Sequence, residues 1–527
     1  MARSAVTGRL LAYVSDERYV AVSGAVLEFD DGTATTILTS APSGAVYGDL
    51  PAGHYRVTLA RDGYGAKRCT ADLAPGQIHQ FRMLSEGLTG YVWPKWVRSG
   101  DSGSVRVHSP EPYRLSLARL GADAEPPAVI GWFDEHGPRA TVQVTPDGDY
   151  SQAGLDWVEH AKVTAPDRSG LYCFHIESES GAHFSIPWVV APREPASGVA
   201  VLASTNTWNA YNNFGGRSNY INAAALPPAP IVFARTDLAR YADGLVSEHS
   251  APDGQYAPLS FRRPEPLNQI GLHERPADPI RGRQPCHLAA AEWRLLSFLE
   301  REGYAPELYA EAQLHDGTLE LDRYRVLILS THPEYWSRQM YDAVRSWVFV
   351  RGGKLMYLGG NGLDCEVEFV ESGALVFRTE DPPADGPFEN RMHRTHAATS
   401  GLLGVVYTES GAMTAAPYAV VAPDHWAFTG TGLAAGDLFG TQSLHERIPG
   451  GASGHETDKR TPRTPAGTTL LAKGRNVDDG GAEMIHFGTP SGGEVFSAGS
   501  ITWSAAVQVD HGVAAVTRNV LERFLKS

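Results

Sequence analysis

The sequence predicts a multidomain chain in which two N-terminal β-sandwiches are followed by an α/β domain. Three observations carry this expectation. At roughly 100–200 residues per domain, 527 residues ask for several domains. Up to about residue 192 the chain reads as short strands cut by Gly, Pro, Asp and Ser turns. Beyond that point, continuous apolar runs alternate with amphipathic helical segments, the grammar of an α/β sheet.

Taken in order, GRLLAYVS, AVSGAVLEF, GAVYGDL, GHYRVTLARDGY and HQFRML are the strand-like segments of residues 1–86. Tyr55, Val57 and Leu59 alternate with polar neighbours, as in a strand buried on one face. The run DLPAGHYRVTLARDGY is similar to the closing hairpin of prealbumin-like or carboxypeptidase-regulatory-like sandwiches, a scaffold in which nothing suggests chemistry. Residues 87–195 continue with SGSVRVHS, YRLSLARLG, RATVQVT, AKVTAP, GLYCFHIES and HFSIPWVVAP, evenly spaced as in a jelly-roll or immunoglobulin-like sandwich. PREPASG reads as a linker into residues 196–527. There GVAVLAST and YRVLILST read as strands buried on both faces. AAAEWRLLSFLEREG is an amphipathic helix stopped at Gly303, and SRQMYDAVRSWVFVRGG is a helix capped by Ser337. KLMYLGGNG leaves a strand into a Gly-rich turn, AEMIHFGTPSGGEVFSAGS reads as a hairpin, and VAAVTRNVLERFLKS is a final helix. Strand, helix, strand, helix, strand implies parallel pairing with right-handed crossovers.

Composition narrows the function classes. A formal net charge of −15 argues against nucleic acid and anionic membrane surfaces as partners, since both select a basic face. With 42% hydrophobic and 20% charged residues the chain is too apolar to be disordered. The four cysteines, Cys69, Cys173, Cys286 and Cys365, lie far apart and form no CxxC pair, so neither a zinc ribbon nor a disulfide framework is expected. The start, MARSAVTGRLLAYV, lacks the apolar stretch of a leader, and a cytoplasmic location is expected.

In open α/β sheets ligands sit beyond the carboxyl ends of the strands. Three unusually furnished loops occupy such places. NTWNAYNNFGGRSNY (206–220) gathers Asn206, Asn209, Asn212 and Asn213 beside Trp208, Tyr211 and Phe214. Buried amides of that number need partners, so the loop is either a site or an aromatic turn whose amides cap backbone. HPEYWS (332–337) puts His332 and Glu334 at a strand end, as site residues or as a capping pair. Asn361 in GGNG either faces a ligand or simply makes a left-handed turn. No GxSxG elbow, P-loop or HExxH helix is present.

The combination TNTWNAYNNFGGRSNY, SFRRP, THPEYWS, GGNG, GGASGHETD and MIHFGTPSGGEVFSAGSITWS, in this order over about 200–506, resembles the large (beta) subunit of the N,N-dimethylformamidase family. The resemblance implies a C-terminal domain like class I glutamine amidotransferases without their cysteine nucleophile. It also implies a mononuclear Fe3+ held by two tyrosines and a glutamate, and hydrolysis of a small linear amide. Glu334 of HPEYW and Tyr211 of NAYN match two ligands; the second tyrosine falls near SFRRP, with Tyr256 the candidate and Tyr220 the rival. Relatives read SFDRPY where this chain has SFRRPE; a tyrosine position at Glu265 would leave the metal site altered. By motif, His332, Asn361, Glu456 and Phe487 fall at pocket positions. Two phenolates and a carboxylate suit a hard trivalent cation and cancel its charge. Glu456 then serves as general base, His332 as proton carrier and Asn361 as holder of the carbonyl oxygen, with Trp208, Phe214 and Phe487 as an apolar wall. The family implies a small accessory subunit, and a homo-oligomer is expected. The alternative is a non-catalytic carbohydrate- or partner-binding protein on the same scaffold.

Other conspicuous residues have plainer readings. RMHRTH reads as a surface basic patch, Asp424-His425-Trp426 as a structural loop, and Cys365 as a buried inert thiol. Trp93 and Trp96 read as packing between domains, with sugar binding second.

Overall fold

A computed structural model describes the chain apart from residues 1–7, 17–19, 84, 86, 135–158, 160, 213, 215–217, 221–228, 231–251, 255–257, 279, 281–283, 372, 446 and 527. The first strands build two sheets. One has the order Ala45–Gly48, Arg9–Asp16, His79–Met83; the other runs Thr35–Thr39, Val26–Asp30, Gly53–Arg61, Gly65–Leu73. Leu11, Val14, Leu27, Phe29, Val57, Leu59 and Phe81 fill one core, and the period-two burial of Tyr55, Val57 and Leu59 matches the alternation in the sequence. A second pair of sheets follows, with three strands around Ser102–His108 and five around Gly170–Ser178. Val105, Leu115, Phe174, Ile186 and Trp188 lie in its core. The expected RATVQVT strand lies outside the described residues.

The remainder is organised on a nine-stranded mixed sheet. Its order is Glu307–Ala310, Val199–Ala203, Val326–Thr331, Lys354–Gly359, Glu494–Ser497, Glu483–Gly488, Thr469–Gly474, Tyr418–Val420 and Leu438–Phe439. The first five are mutually parallel and the rest antiparallel. Both faces are covered, which is why the central strands are apolar without alternation. Val201, Ile328 and Met356 belong to the cluster holding Leu295 and Leu299 of the Ala289–Arg301 helix and Val520 and Phe524 of the His511–Lys526 helix. Leu202, Leu327, Leu329 and Leu355 belong to the opposite cluster with Met340, Val344 and Trp347 of the Arg338–Phe349 helix. Ser337 caps that helix by accepting from the Met340 N–H.

Trp93 and Trp96 meet edge-on at 6.4 Å, and Trp96 stands against Phe261 at 4.9 Å, so the pair packs onto the α/β part as expected. None of the four cysteines forms a disulfide. Among the described residues no helix is long and apolar enough to cross a membrane.

Candidate functional site

The three loops beyond the parallel strands do meet. The first is less irregular than its sequence suggests: Thr205–Tyr211 forms a seven-residue helix, buried throughout. Distant carboxylates hold it. Glu311 accepts from the Asn206 N–H at 2.7 Å, and Glu292 Oε1 accepts from the Ser204 N–H at 2.9 Å and the Trp208 indole N–H at 3.0 Å. The asparagines turn out to be braces. Asn206 Nδ2 donates to the Tyr335 carbonyl at 2.8 Å, Asn209 Nδ2 to Leu259 at 3.0 Å and Asn212 Nδ2 to Pro264 at 2.9 Å. Thr207 Oγ1 donates to the His332 carbonyl at 2.6 Å, tying the first loop to the second.

Burial pushes the Glu292 carboxyl up from 4.5 to about 8, against the opposing pull of its hydrogen bonds from Ser204 and Trp208. Between those values the folded protein holds a proton that the unfolded chain has released. Stability therefore falls as pH rises through the window. Glu292→Gln, whose carbonyl can accept the same two bonds, is expected to flatten that fall, read as urea midpoints measured from pH 5 to 8. An unchanged slope would show that Glu292 does not carry it.

At the strand ends a cavity of about 400 Å³ opens, and Tyr211, Tyr220, Glu334, Asn361 and Glu456 line it. The Tyr220 hydroxyl lies 3.1 Å from each oxygen of Glu334 and 2.7 Å from the Tyr335 hydroxyl. The rings of Tyr211 and Tyr220 are 4.4 Å apart. His332 Nε2 stands 3.2 Å from Glu334 Oε2 and 3.2 Å from Glu456 Oε2, bridging the two carboxylates. Asn361, at a φ of 48°, makes the left-handed turn of GGNG. Its N–H donates to Asp458 Oδ1 at 2.8 Å, and its buried Oδ1 has no hydrogen-bond partner among the described residues. A Cβ on Gly360 would stand 2.5 Å from the Glu456 carbonyl oxygen, so glycine is what lets this turn approach the Glu456 backbone.

Burial raises the Glu334 carboxyl above its ordinary range, opposed by His332 and reinforced by Glu456 and Asp364. It also raises the Tyr220 hydroxyl, with Glu334 adding to the effect. Two phenols and a carboxyl, all hard oxygen donors, share a buried space in which the charged forms of Tyr220 and Glu334 are disfavoured. A hard cation among them would favour those charged forms, so the donor set fits such an ion. Among the described residues no three His, Cys, Asp or Glu side chains group to hold a metal; the fit depends on tyrosine oxygens.

Tyr256, the first candidate for second tyrosine, lies outside the described residues, and its rival Tyr220 lines the cavity. Other expectations need correction. Glu265 is not at the cavity; it is buried against Lys95 at 2.8 Å. The apolar wall is not built. Trp208 turns its indole to Glu292, and Phe214 is buried with its carbonyl accepting from Arg263. Phe487 shares a strand face with Ile485 and packs on Phe349 at 6.1 Å in the cluster beneath the Arg338–Phe349 helix. RMHRTH is not a free basic patch. Arg391 lines the cavity and pairs with Asp364 and Asp381, each at 2.6 Å, while Arg394 pairs with Asp253 and His396 with Asp342, each at 2.8 Å. Cys365 is fully buried, its thiol pushed up by burial and bonded to the Arg378 carbonyl, as expected of an inert thiol.

Other residues at the site carried no sequence signal. Tyr335 was visible only as part of HPEYW. A row of buried imidazoles, meeting edge to face, stands behind Tyr211: His287 is 4.5 Å from it, 5.2 Å from His332 and 5.0 Å from His455, and His445 lies 4.9 Å from His455. Burial holds His445 and His455 well below the usual imidazole value, in the neutral form. Tyr407, Glu389 and Glu409 come to the cavity from a stretch with no motif.

With this geometry in place, comparison with known proteins gives a consistent result. Residues 117–515 match the family described as N,N-dimethylformamidase beta subunit-like, C-terminal. The N,N-dimethylformamidase beta subunit of Paracoccus aminophilus is 27% identical over 433 residues, covering 70% of this chain and 54% of that protein. The beta subunit from Alcaligenes sp is 27% identical over 435 residues, with the same 70% and 54% coverage. The chain thus spans about half the length of these relatives. Among solved structures, a DUF3823 family protein from Bacteroides ovatus ATCC 8483 is 9% identical and covers 33% of this chain and 98% of its own, at a TM-score of 0.13, which carries no argument about the fold.

Proposed function

Since the chain belongs to the N,N-dimethylformamidase beta subunit-like family, we propose that it hydrolyses the C–N bond of a small amide in the cavity where Tyr211, Tyr220 and Glu334 meet. The observation that carries this reading is the Tyr220 hydroxyl at 3.1 Å from both Glu334 oxygens, beside a His332 that bridges to Glu456. Tyr211, Tyr220 and Glu334 would hold a single ferric ion, which would supply Lewis acidity towards the amide carbonyl.

This chain's residues do the rest. Glu456 accepts the proton of the attacking water. Its contact with His332 gives that proton a path to the departing nitrogen as the C–N bond breaks and the acid and amine form. Asn361, whose side-chain amide has capacity left over and faces the cavity, receives the amide group of the substrate. Asp458 fixes the Asn361 backbone and is itself held by the Tyr357 hydroxyl at 2.7 Å.

On this reading residues 196–527 are a glutamine amidotransferase-like α/β domain, and residues 1–86 and 87–195 are the two sandwiches that support it. The relatives' designation as beta subunits agrees with a small accessory subunit, and a homo-oligomer is part of the same proposal. Four cysteines outside any disulfide agree with a reducing cytoplasm.

The test is metal analysis combined with a formamide and acetamide panel. The expected result is about one iron per chain, a phenolate-to-iron charge-transfer colour, and released amine. Colourless protein that releases no amine after iron-supplemented expression would overturn the hydrolase and favour a non-catalytic binding protein.

A further inference from the structure

The lining of the cavity is more acidic than a neutral, methyl-bearing amide requires. Among the described residues six carboxylates line it, Glu334, Asp364, Asp381, Glu389, Glu409 and Glu456, against the single guanidinium of Arg391. That cation is already spent on Asp364 and Asp381. If a ferric ion were cancelled by Glu334 and two phenolates, Glu389 and Glu409 would remain uncompensated, while Glu456 meets His332 at 3.2 Å. The donors on Glu389 are the neutral groups of Ser400 and Thr461, which leave its charge in place. Glu409 is exposed, and its carboxylate makes no hydrogen bond or ion pair among the described residues. The Tyr407 hydroxyl is raised first by burial and then by Glu456, Glu409, Asp364 and Glu334, so a proton on that wall senses four carboxylates. A concave, low-dielectric wall focuses a field of one sign on whatever enters. The acidic lining is joined by an independent feature, the buried and unpartnered Asn361 Oδ1. It marks where a polar ligand group must sit, because leaving that acceptor unmet is costly.

We propose that the substrate is a small linear amide bearing a free ammonium group, with the amide placed at Asn361 and the cation received by Glu409. This inference rests on the amide-hydrolase reading and names its substrate class. Glu409 is a specificity residue, acting on the remote end of the substrate and not on the reacting bond.

The probes are N-(3-aminopropyl)formamide and its neutral isostere N-butylformamide, and the purified protein is measured both for binding by calorimetry and for amine release. The cationic amide is expected to bind about tenfold or more tightly at low salt, and raising the ionic strength should erode that ratio because mouth charges are screened. Glu409→Gln is expected to reduce the ratio roughly threefold, and Glu409→Lys to invert it. Equal binding of the two amides, or a ratio unchanged in both variants, overturns the inference. The two ideas fail separately. A binding preference without amine release keeps the charge selectivity and removes the hydrolase, whereas equal turnover of both amides does the reverse.

Discussion

Glu456→Gln is expected to lower kcat by about 10²–10⁴-fold while the iron stays bound, the range in which a positioned general base contributes. The substitution is well isolated. Glu456 is almost buried, and its backbone is fixed independently by the Ile501 N–H on its carbonyl. Glutamine keeps the volume and can still meet His332, but it cannot take a proton from water. The three oxygens assigned to the metal are untouched, so colour and metal content should persist. Glu334→Ala gives the complementary result: it removes one of those oxygens and is expected to release the iron and with it all turnover. Metal analysis beside kcat and KM separates the two. A Glu456→Gln enzyme running at the parent rate would remove Glu456 from the proton path, and a Glu334→Ala protein retaining full iron would break the ligand assignment.

What the sequence showed and what it concealed follow from where each constraint is stored. Val199–Ala203, Val326–Thr331 and Lys354–Gly359 are legible because two covered faces demand apolar residues at every position. The Arg338–Phe349 helix is legible because its cap, Ser337, is local. The Thr205–Tyr211 helix is not legible. Asn, Thr, Trp and Tyr are indifferent helix formers, and its hydrogen bonds come from Glu292 and Glu311, which are about a hundred residues away in the chain. Motif position brought Tyr211, Glu334, Asn361 and Glu456 to one cavity, with the buried His332 against the two carboxylates, yet the same reasoning put Phe487 there. Residue order along a strand fixes which side chains share a face without saying which face looks onto the cavity, and Phe487 went with Ile485 to the other cluster. The acidic lining was hidden for a different reason. Asp364, Asp381, Glu389 and Glu409 stand in turns and short elements whose sequence carries no periodicity, and only the fold brings them together.

The second large effect is structural. Arg263 is fully buried, and its guanidinium spans the segments that carry the first tyrosine. Nε donates to the Ser260 carbonyl at 2.9 Å and Nη1 to the Phe214 carbonyl at 2.8 Å. Nη2 donates to both the Asn209 carbonyl and the Asn209 Oδ1, each at 3.0 Å. Asn209 lies two positions before Tyr211, so this one side chain sets the end of the Thr205–Tyr211 helix against the loop that follows it. Arg263→Met keeps much of the volume and removes every donor, stranding buried acceptors from three residues. At about 1–3 kcal/mol for each buried group left unmet, and with partial relaxation, a loss of roughly 3–5 kcal/mol is expected. Urea denaturation should show the fall in midpoint, and iron should bind more weakly because Tyr211 is no longer held. Arg263→Lys is expected to recover only part of both, since an ammonium cannot reproduce the planar fork that reaches three carbonyls and an amide oxygen at once. If Arg263→Met unfolds at the parent midpoint and keeps its iron, the Tyr211 loop is positioned by its own helix and the Glu292 and Glu311 anchors, and the clamp is dispensable.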